Sequence, residues 1–341
     1  MKKVLLFLSL TFALCFISCS DSKEQEIQSS NEHADSLSIK LNAPELKAVN
    51  AEILKDPSNA ALYNKRAQIY LSLRQLEEAM YDAKRAVGID STKAEFYLTM
   101  ADVLFSQNNT RKSKEMLEQT VKRFPENTEA LLKLSELYFL VQDYQQAIDF
   151  VNKALKIDET IAKGYYIKGS IYRESGDTGR AISNLETATE QNNSYIDAFY
   201  DLGVIYSARR NPIAMDYYNT VLRIDPTHEE AGYAKAKLLQ DLGKYDEALS
   251  MYEQLVKQHA DCEHCYYNLG AINLEVKKDP KKALGYFTKA IEIEPNYADA
   301  YFARGYTYVK LNDKESAKAD YNMCIKIQPN YTEAIIQLRN L

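Results

Sequence analysis

The apolar and polar positions of this chain divide it into three stretches. Val4 to Ile17 is a nearly unbroken apolar run, Ser20 to about Ser38 is polar, and from Pro44 onward the apolar residues recur with a helical period. Leu46, Val49, Ile53 and Leu54 fall on one face of a helix predicted over Pro44 to Lys55. From Ala60 the pattern repeats every 34 residues, in blocks that start at Ala60, Ala94, Thr128, Ala162, Ile196, Glu229, Glu263 and Ala298. The fifth block is one residue short and the seventh one residue long, both at the turn between the paired helices predicted for each block. Thr332 to Leu341 then begins a ninth first helix, with Ile335 and Leu338 in register.

Particular positions of the block carry a packing rule. The eighth reads Ala67, Ala101, Ser135, Gly169, Gly203, Ala236, Gly270 and Gly305, and the twentieth Ala79, Ser113, Ala147, Ala181, Ala214, Ala248, Ala283 and Ala317. All of these are small, as two helices need where they cross closely. The fourth position is large (Tyr63, Tyr97, Leu131, Tyr165, Phe199, Tyr266, Tyr301, with Gly232 the departure), and the eleventh is Tyr70, Tyr138, Tyr172, Tyr206 and Tyr308 in five blocks. These large residues are expected to fill the space that the small ones leave. Position 27, small in Ala86, Ala154, Ala188 and Ala290, is where a second helix should meet the next block. Pro125, Pro226, Pro295 and Pro329 close four second helices, where a missing N–H costs least.

The pattern resembles the tetratricopeptide repeat (TPR) family, with Tyr where that family's first-helix Trp often stands, and the resemblance covers residues 60–331. It implies an all-α fold, a right-handed α-solenoid of about eight helix pairs. Residues 44–59 would be an amino-terminal capping helix and 332–341 a partial cap. No single repeat buries its own apolar face, so neighbours do it for one another. In this family first-helix positions 2, 5, 9, 12 and 13 face the concave side. Position five reads Asn64, Leu98, Leu132, then Tyr166, Tyr200, Tyr233, Tyr267 and Phe302. The five consecutive aromatic residues are the candidate partner-binding groove, since a ring with a polar tip suits an extended segment or a helix. Tyr at this position also packs between helices, and both readings stand. The Lys-then-Asn pair with which some members grip a terminal carboxylate is missing: positions five and nine are Asn64/Gln68, Leu98/Asp102, Leu132/Glu136 and Tyr166/Ser170.

Composition agrees with a helical array: 26 Tyr, no Trp, and only 11 Gly and 8 Pro in 341 residues. A net charge of −6 argues against a nucleic-acid partner, whose phosphates call for Lys and Arg. Gly164 to Ser170 resembles a phosphate loop only superficially, because its Lys and Gly are in the wrong order and it sits inside a predicted helix. His33, His228, His259 and His264 form no relay with Ser or Asp. No catalysis, no cofactor and no resident metal are expected. The segment His259-Ala-Asp-Cys262-Glu-His264-Cys265 admits a local disulfide, a metal site or redox chemistry, with the disulfide the plain reading; position three, which Cys265 occupies, reads as tolerant. Cys324, at position 27, reads as a buried filler. Lys277, Lys278, Lys281 and Lys282 around Asp279-Pro280 form a basic turn that reads as a solvated edge, or as a contact for anionic lipid or an acidic partner.

At the amino terminus Lys2 and Lys3 precede the apolar run, which at about 14 residues is too short to span a bilayer comfortably and suits a signal peptide. Phe16-Ile17-Ser18-Cys19 resembles the lipobox of bacterial lipoproteins, with Phe16 in place of the usual Leu. The resemblance implies a signal peptide over 1–18, an acylated Cys19 and a polar tether over 19–43 with a reach of about 25–30 Å. Ser20 after that Cys suggests the outer membrane of a bacterial envelope, with the periplasmic or surface side left open. The function expected is a lipid-anchored adaptor that binds protein partners in its groove, in envelope assembly, secretion or proteolysis. The alternative is a lipoprotein that stacks its tyrosines on glycan or cell-wall polymer.

Overall fold

The computed structural model describes residues 44–341, so the expected signal peptide, Cys19 and the expected tether lie outside them. Among the described residues there are eighteen helices and no strand, from Pro44–Lys55 to Thr332–Arg339. The first helix of every repeat begins on the first residue of its 34-residue block, as in Ala60–Ser72, Ala162–Glu174 and Ala298–Lys310. Second helices follow after short turns, as in Leu76–Ile89 and Thr178–Gln191. Within each of two compact units, each helix packs against its neighbours in the chain, and some first helices also touch the first helix of the next repeat, as Ala60–Ser72 does Ala94–Ser106 and Thr128–Leu140 does Ala162–Glu174. This is the architecture of a solenoid, in which stability comes from nearest neighbours.

The turn inside each repeat is the same device eight times. Arg74, Asn108, Gln142, Gly176, Arg210, Gly243, Lys278 and Asn312 all have φ between 52° and 83°. In seven repeats a left-handed residue there lets the next N–H reach back five residues, as in Gln75 to Tyr70 (2.9 Å), Asp177 to Tyr172 (2.8 Å) and Asp313 to Tyr308 (2.9 Å), while in the longer repeat seven Asp279 reaches back six, to Asn273 (2.9 Å). This closes the first helix by satisfying carbonyls that have no partner within it. The following residue then caps the second helix: Asp143, Asp177, Asp279 and Asp313 accept from the N–H three residues on at 3.0–3.2 Å. The extra residue of repeat seven comes just before its left-handed Lys278. The missing residue of repeat five leaves its second helix starting late, at Ala214, after i→i+3 bonds from Met215 and Asp216 to Pro212 and Ile213. Between repeats, Asp90, Asp158 and Asp225 each accept from the N–H and hydroxyl of the Thr two residues on, at 2.7–2.9 Å. Those bonds hold the three exposed carboxyls below the usual range.

The chain divides after Pro125 into two compact units. In the first, Leu46, Val49 and Ile53 share a core with Ala60, Tyr63, Ala86 and Phe96. Arg66 donates to both carboxylate oxygens of Asp82 (2.5 and 2.8 Å) and to Asn50 on the leading helix (2.7 Å). In the second unit Arg304 makes the same fork with Asp320 (both 2.8 Å) and reaches Thr288 on the preceding second helix (3.3 Å). Asn50 and Thr288 each stand sixteen residues before their Arg. The leading helix therefore occupies the place of a second helix, and the expected cap is the latter part of an incomplete repeat.

Two expectations need correcting. Position three is not tolerant: Ala130, Ala198, Ala231, Cys265, Ala300 and Ala334 are all fully buried, because this side of a first helix meets the second helix before it. The bulk facing the small eighth position comes from position 24 instead of positions four and eleven. Cβ atoms built on Gly203, Gly270 and Gly305 would lie 2.5–2.8 Å from the rings of Tyr218, Phe287 and Tyr321, which are no more than 1% exposed. Those rings are locked in the core and cannot give way. Gly203→Ala is expected to destabilise the protein by about 1–3 kcal/mol. Gly285→Ala, on an exposed helical site with nothing within 4 Å, is expected to stabilise it by about 0.5–1 kcal/mol. Denaturant unfolding of the two variants beside wild type checks both signs.

Candidate functional site

The five position-five rings all belong to the second unit, and each is half-buried. They lie among rings contributed by other positions. On one side is position 24 of the same repeat: Tyr200–Tyr218 at 6.3 Å between centroids, Tyr233–Tyr252 at 6.0 Å, Tyr267–Phe287 and Phe302–Tyr321 at 5.7 Å. On the other is a ring at the start of the next repeat. Tyr166 meets Tyr195 at 5.2 Å, Tyr200 stacks on His228 at 5.5 Å, and Tyr233 meets His264 at 6.3 Å. Tyr267 meets Tyr297 at 5.4 Å, and Phe302 stacks on Tyr331 at 5.2 Å. The ladder is thus a band of interleaved rings, partly packing and partly surface. Tyr195, His228, Cys262, Tyr297 and Tyr331 are the N-cap residues of their first helices, which is what aims Tyr195, His228, Tyr297 and Tyr331 at the position-five rings. Neither flanking set was read from the sequence, although the 34-residue alignment carries them at positions 24 and 34, with His264 at position 2 in repeat seven.

Family models described as tetratricopeptide repeat match residues 60–93, 98–160, 233–298 and 298–331, and one described as TPR repeat matches 169–208, together most of the chain. The chain is a tetratricopeptide-repeat protein. DnaJ homolog subfamily C member 3 of Rattus norvegicus is 23% identical over 310 residues, covering 82% of this chain and 62% of that protein. Human DnaJ homolog subfamily C member 7 is 23% identical over 297 residues, covering 78% and 59%. The TPR protein thus spans about three-fifths of the curated relatives it matches. Among solved structures, the C-terminal part of a TPR repeat-containing protein from Cytophaga hutchinsonii superposes with a TM-score of 0.61 at 20% identity, over 71% of this chain and 99% of that one. A tetratricopeptide repeat protein from Parabacteroides merdae gives 0.50 at 19%, over 72% and 97%. Both are likenesses of fold.

Around the ladder the TPR protein carries more acid than base. A cleft of about 380 Å³ lies between Tyr200 and Tyr233, lined also by Glu229, Glu230, Glu263 and His264, with Cys262 on its wall. The imidazoles beside it are engaged: His228 with Glu230 (3.2 Å), His259 with Glu229 (3.3 Å), and His264 with Glu263 (3.3 Å) and the Tyr297 hydroxyl (2.9 Å). Cys262 and Cys265 are joined as a disulfide at the helix start, where the Cys262 sulfur also accepts from the Cys265 N–H at 3.3 Å. Both lie in a core with Leu239, Tyr252 and Leu269. Among the described residues no group of three or more His, Cys, Asp or Glu side chains is placed to hold a metal. Cys324 is a fully buried free thiol, pushed up by burial to about 11. In the basic turn Lys277 pairs with Asp246, Lys278 with Glu275 (3.8 Å) and Lys282 with Glu253 (3.8 Å), so its charge is largely met within the chain.

Burial sets the acid–base behaviour of the ladder. Desolvation raises the phenols of Tyr166, Tyr200 and Tyr267, and pushes those of Tyr218 and Tyr321 up to about 12. A phenol raised above its unfolded value of about 10 holds its proton more tightly in the folded state. Its contribution is complete below about pH 10 and falls away as pH rises toward 12. Alkaline titration followed by tyrosinate absorbance and circular dichroism is expected to show ionisation delayed past pH 10 and coupled to loss of helix between about pH 10 and 12. Free titration near pH 10 with helix intact would contradict the buried ladder.

Proposed function

We propose that this chain is a non-catalytic, lipid-anchored scaffold whose position-five face docks segments of other proteins. Its repeat class is one of protein-interaction scaffolds, and the curated relatives match it over repeats. The observation that carries the reading is the band of half-buried rings from Tyr166 to Phe302. It keeps large apolar area with polar tips at a surface while its backs are fixed by Tyr218, Tyr252, Phe287 and Tyr321. Rigid amphipathic area costs little ordering entropy on binding, which favours a docking role. Glycan stacking calls for flat ring faces open to solvent, and here four of the five position-five rings have ring neighbours on two sides, so we favour a protein segment. Among the described residues no helix is long and apolar enough to cross a membrane. The proposed attachment is acyl chains on Cys19, which the lipobox resemblance of Phe16 to Cys19 supports, with the outer membrane of a bacterial envelope as the site of action in assembly, secretion or proteolysis.

Two experiments test this. Crosslinking pull-downs from cell envelopes compare wild type with a Tyr166→Ala, Tyr200→Ala, Tyr233→Ala variant shown by circular dichroism to be folded. A discrete set of envelope proteins is expected to be lost from the variant, and an unchanged set would refute docking at this face. Binding that survives protease treatment of the lysate would favour the glycan reading. Cys19→Ala is expected to move the protein from the membrane fraction to the soluble fraction, and unchanged membrane recovery would remove the anchor from the proposal.

A further inference from the structure

Gly232 stands at position four, where the other seven repeats carry a large side chain and six of those a ring. Where that residue is a ring, position 27 is no larger than valine: Ala86, Thr120, Ala188, Val221, Ala290 and Cys324. Repeat six has Leu255 there instead, and a Cβ built on Gly232 would lie 2.7 Å from its Cδ2. The leucine leans into the room that a ring takes elsewhere but fills only part of it. A partly open cleft of about 230 Å³ remains, with Gly232 and Leu255 in its wall. That is ample for one ring, since an apolar cavity of roughly 150 Å³ accepts benzene.

The cleft's lining matches what surrounds a position-four ring elsewhere in the chain. In repeat one the guanidinium groups of Arg66 and Arg85 lie 5.5 and 4.5 Å from the centroid of Tyr63, whose hydroxyl donates to the Pro57 carbonyl at 3.1 Å. In repeat two Arg123 lies 5.2 Å from the Tyr97 centroid and donates to the Tyr97 hydroxyl at 2.7 Å. That hydroxyl donates in turn to the Ser91 carbonyl at 3.2 Å. Positions 7, 26 and 30 and the residue six places back thus surround the ring. In repeat six those places hold Lys235, Gln254, Gln258 and Pro226, and all four line the cleft. The position-seven arginines Arg66 and Arg304 are held by Asp82 and Asp320 at position 23. Repeat six has Met251 at position 23, so Lys235 has no such fork. Burial lowers its ammonium against the opposing pull of Glu247, and a ring face beneath it would offset part of that desolvation.

We infer that this cleft is a tyrosine subsite: the phenol ring of a tyrosine on a segment of another protein enters against Gly232 and Leu255, lies beneath Lys235, and donates its hydroxyl hydrogen bond to the Pro226 carbonyl. The ligand takes the place, and makes the bond, that Tyr63 and Tyr97 take and make in their own repeats. Residues 1–43 contain no Tyr, so the chain's own amino-terminal stretch does not supply it. The cleft shares no residue with the position-five rings, although His228 in its wall stacks on Tyr200. The subsite therefore stands or falls apart from docking on the ladder.

The test uses the full chain with isotope-labelled methionine methyls, the Met251 signal being assigned by Met251→Leu, because Met251 lines the cleft. The probes are blocked tripeptides, acetyl-Gly-Xaa-Gly amide, with tyrosine, O-methyltyrosine or leucine in the middle. The tyrosine peptide is expected to shift the Met251 methyl saturably and to bind about threefold or more tightly than either other peptide. Gly232→Tyr combined with Leu255→Ala gives repeat six the pair that repeats one, four and seven carry, and fills the cleft from within. Once circular dichroism shows it folded, that variant is expected to bind the tyrosine peptide about tenfold or more weakly, having lost the pocket for an aromatic anchor. No Met251 shift with the tyrosine peptide overturns the subsite, as does equal binding of that peptide and either other one. Undiminished binding by the filled variant overturns it too, and if that variant does not fold, the peptide series on the wild type decides alone. A Met251 shift that grows with protein concentration in the absence of peptide assigns the cleft to a second copy and overturns the proposed partner. The envelope pull-down, whose variant leaves every residue of the cleft in place, decides separately whether the ladder docks proteins.

Discussion

The close crossing of the two helices in each repeat is the constraint on which the rest of this structure depends. Where a first helix presents Gly203, Gly270 or Gly305, the second brings a whole aromatic ring against its backbone, and Tyr218, Phe287 and Tyr321 are buried as completely as any core leucine. Where the first helix presents Ala67 or Ala101, the facing residue shrinks to Ala83 or Leu117, both buried. Interior packing near crystal density allows little slack, yet the exchange is not one for one, since Gly169 meets Leu185 and Ala236 shares a core with the buried ring of Tyr252. The exchange also sets the surface, because the rings buried at position 24 are those on which the position-five rings rest.

That coupling blurs the line between core and site. Tyr200, Tyr233, Tyr267 and Phe302 each lie between a buried ring and a second ring aimed by the N-cap region of the next repeat. Packing and recognition, which the sequence offers as alternatives, here use different sides of the same side chains. The consequence is a stiff face, since moving one ring means moving its neighbours. Near it Asp201 is buried with one carboxylate oxygen paired to Arg173 and the other without a hydrogen-bond partner.

The first and last repeats also share a charged device. Arg66–Asp82 and Arg304–Asp320 are matching buried forks in the first and last repeats, each tied to the helix before it. Removing one partner of such a pair strands the other in low dielectric, so the forks hold helix register tightly even where their net contribution is modest.

The sequence by itself determined the number of repeats, the start of every first helix, the small positions at each crossing and the identity of the position-five rings. Those are local or periodic properties, and a period repeated eight times is averaged over its exceptions. Also legible were the turns, although nothing in Arg74, Gln142 or Lys278 announces a left-handed backbone, and only their shared place in the block suggests it. Only the tertiary structure decided which residue faces which. It put position 24 instead of positions four and eleven against the small residues, buried position three, brought Tyr195, His228 and Tyr331 onto the ladder, and paired the basic turn with Asp246, Glu253 and Glu275. The reason is that contact across helices depends on crossing angle and side-chain direction, which residue spacing along one helix does not specify.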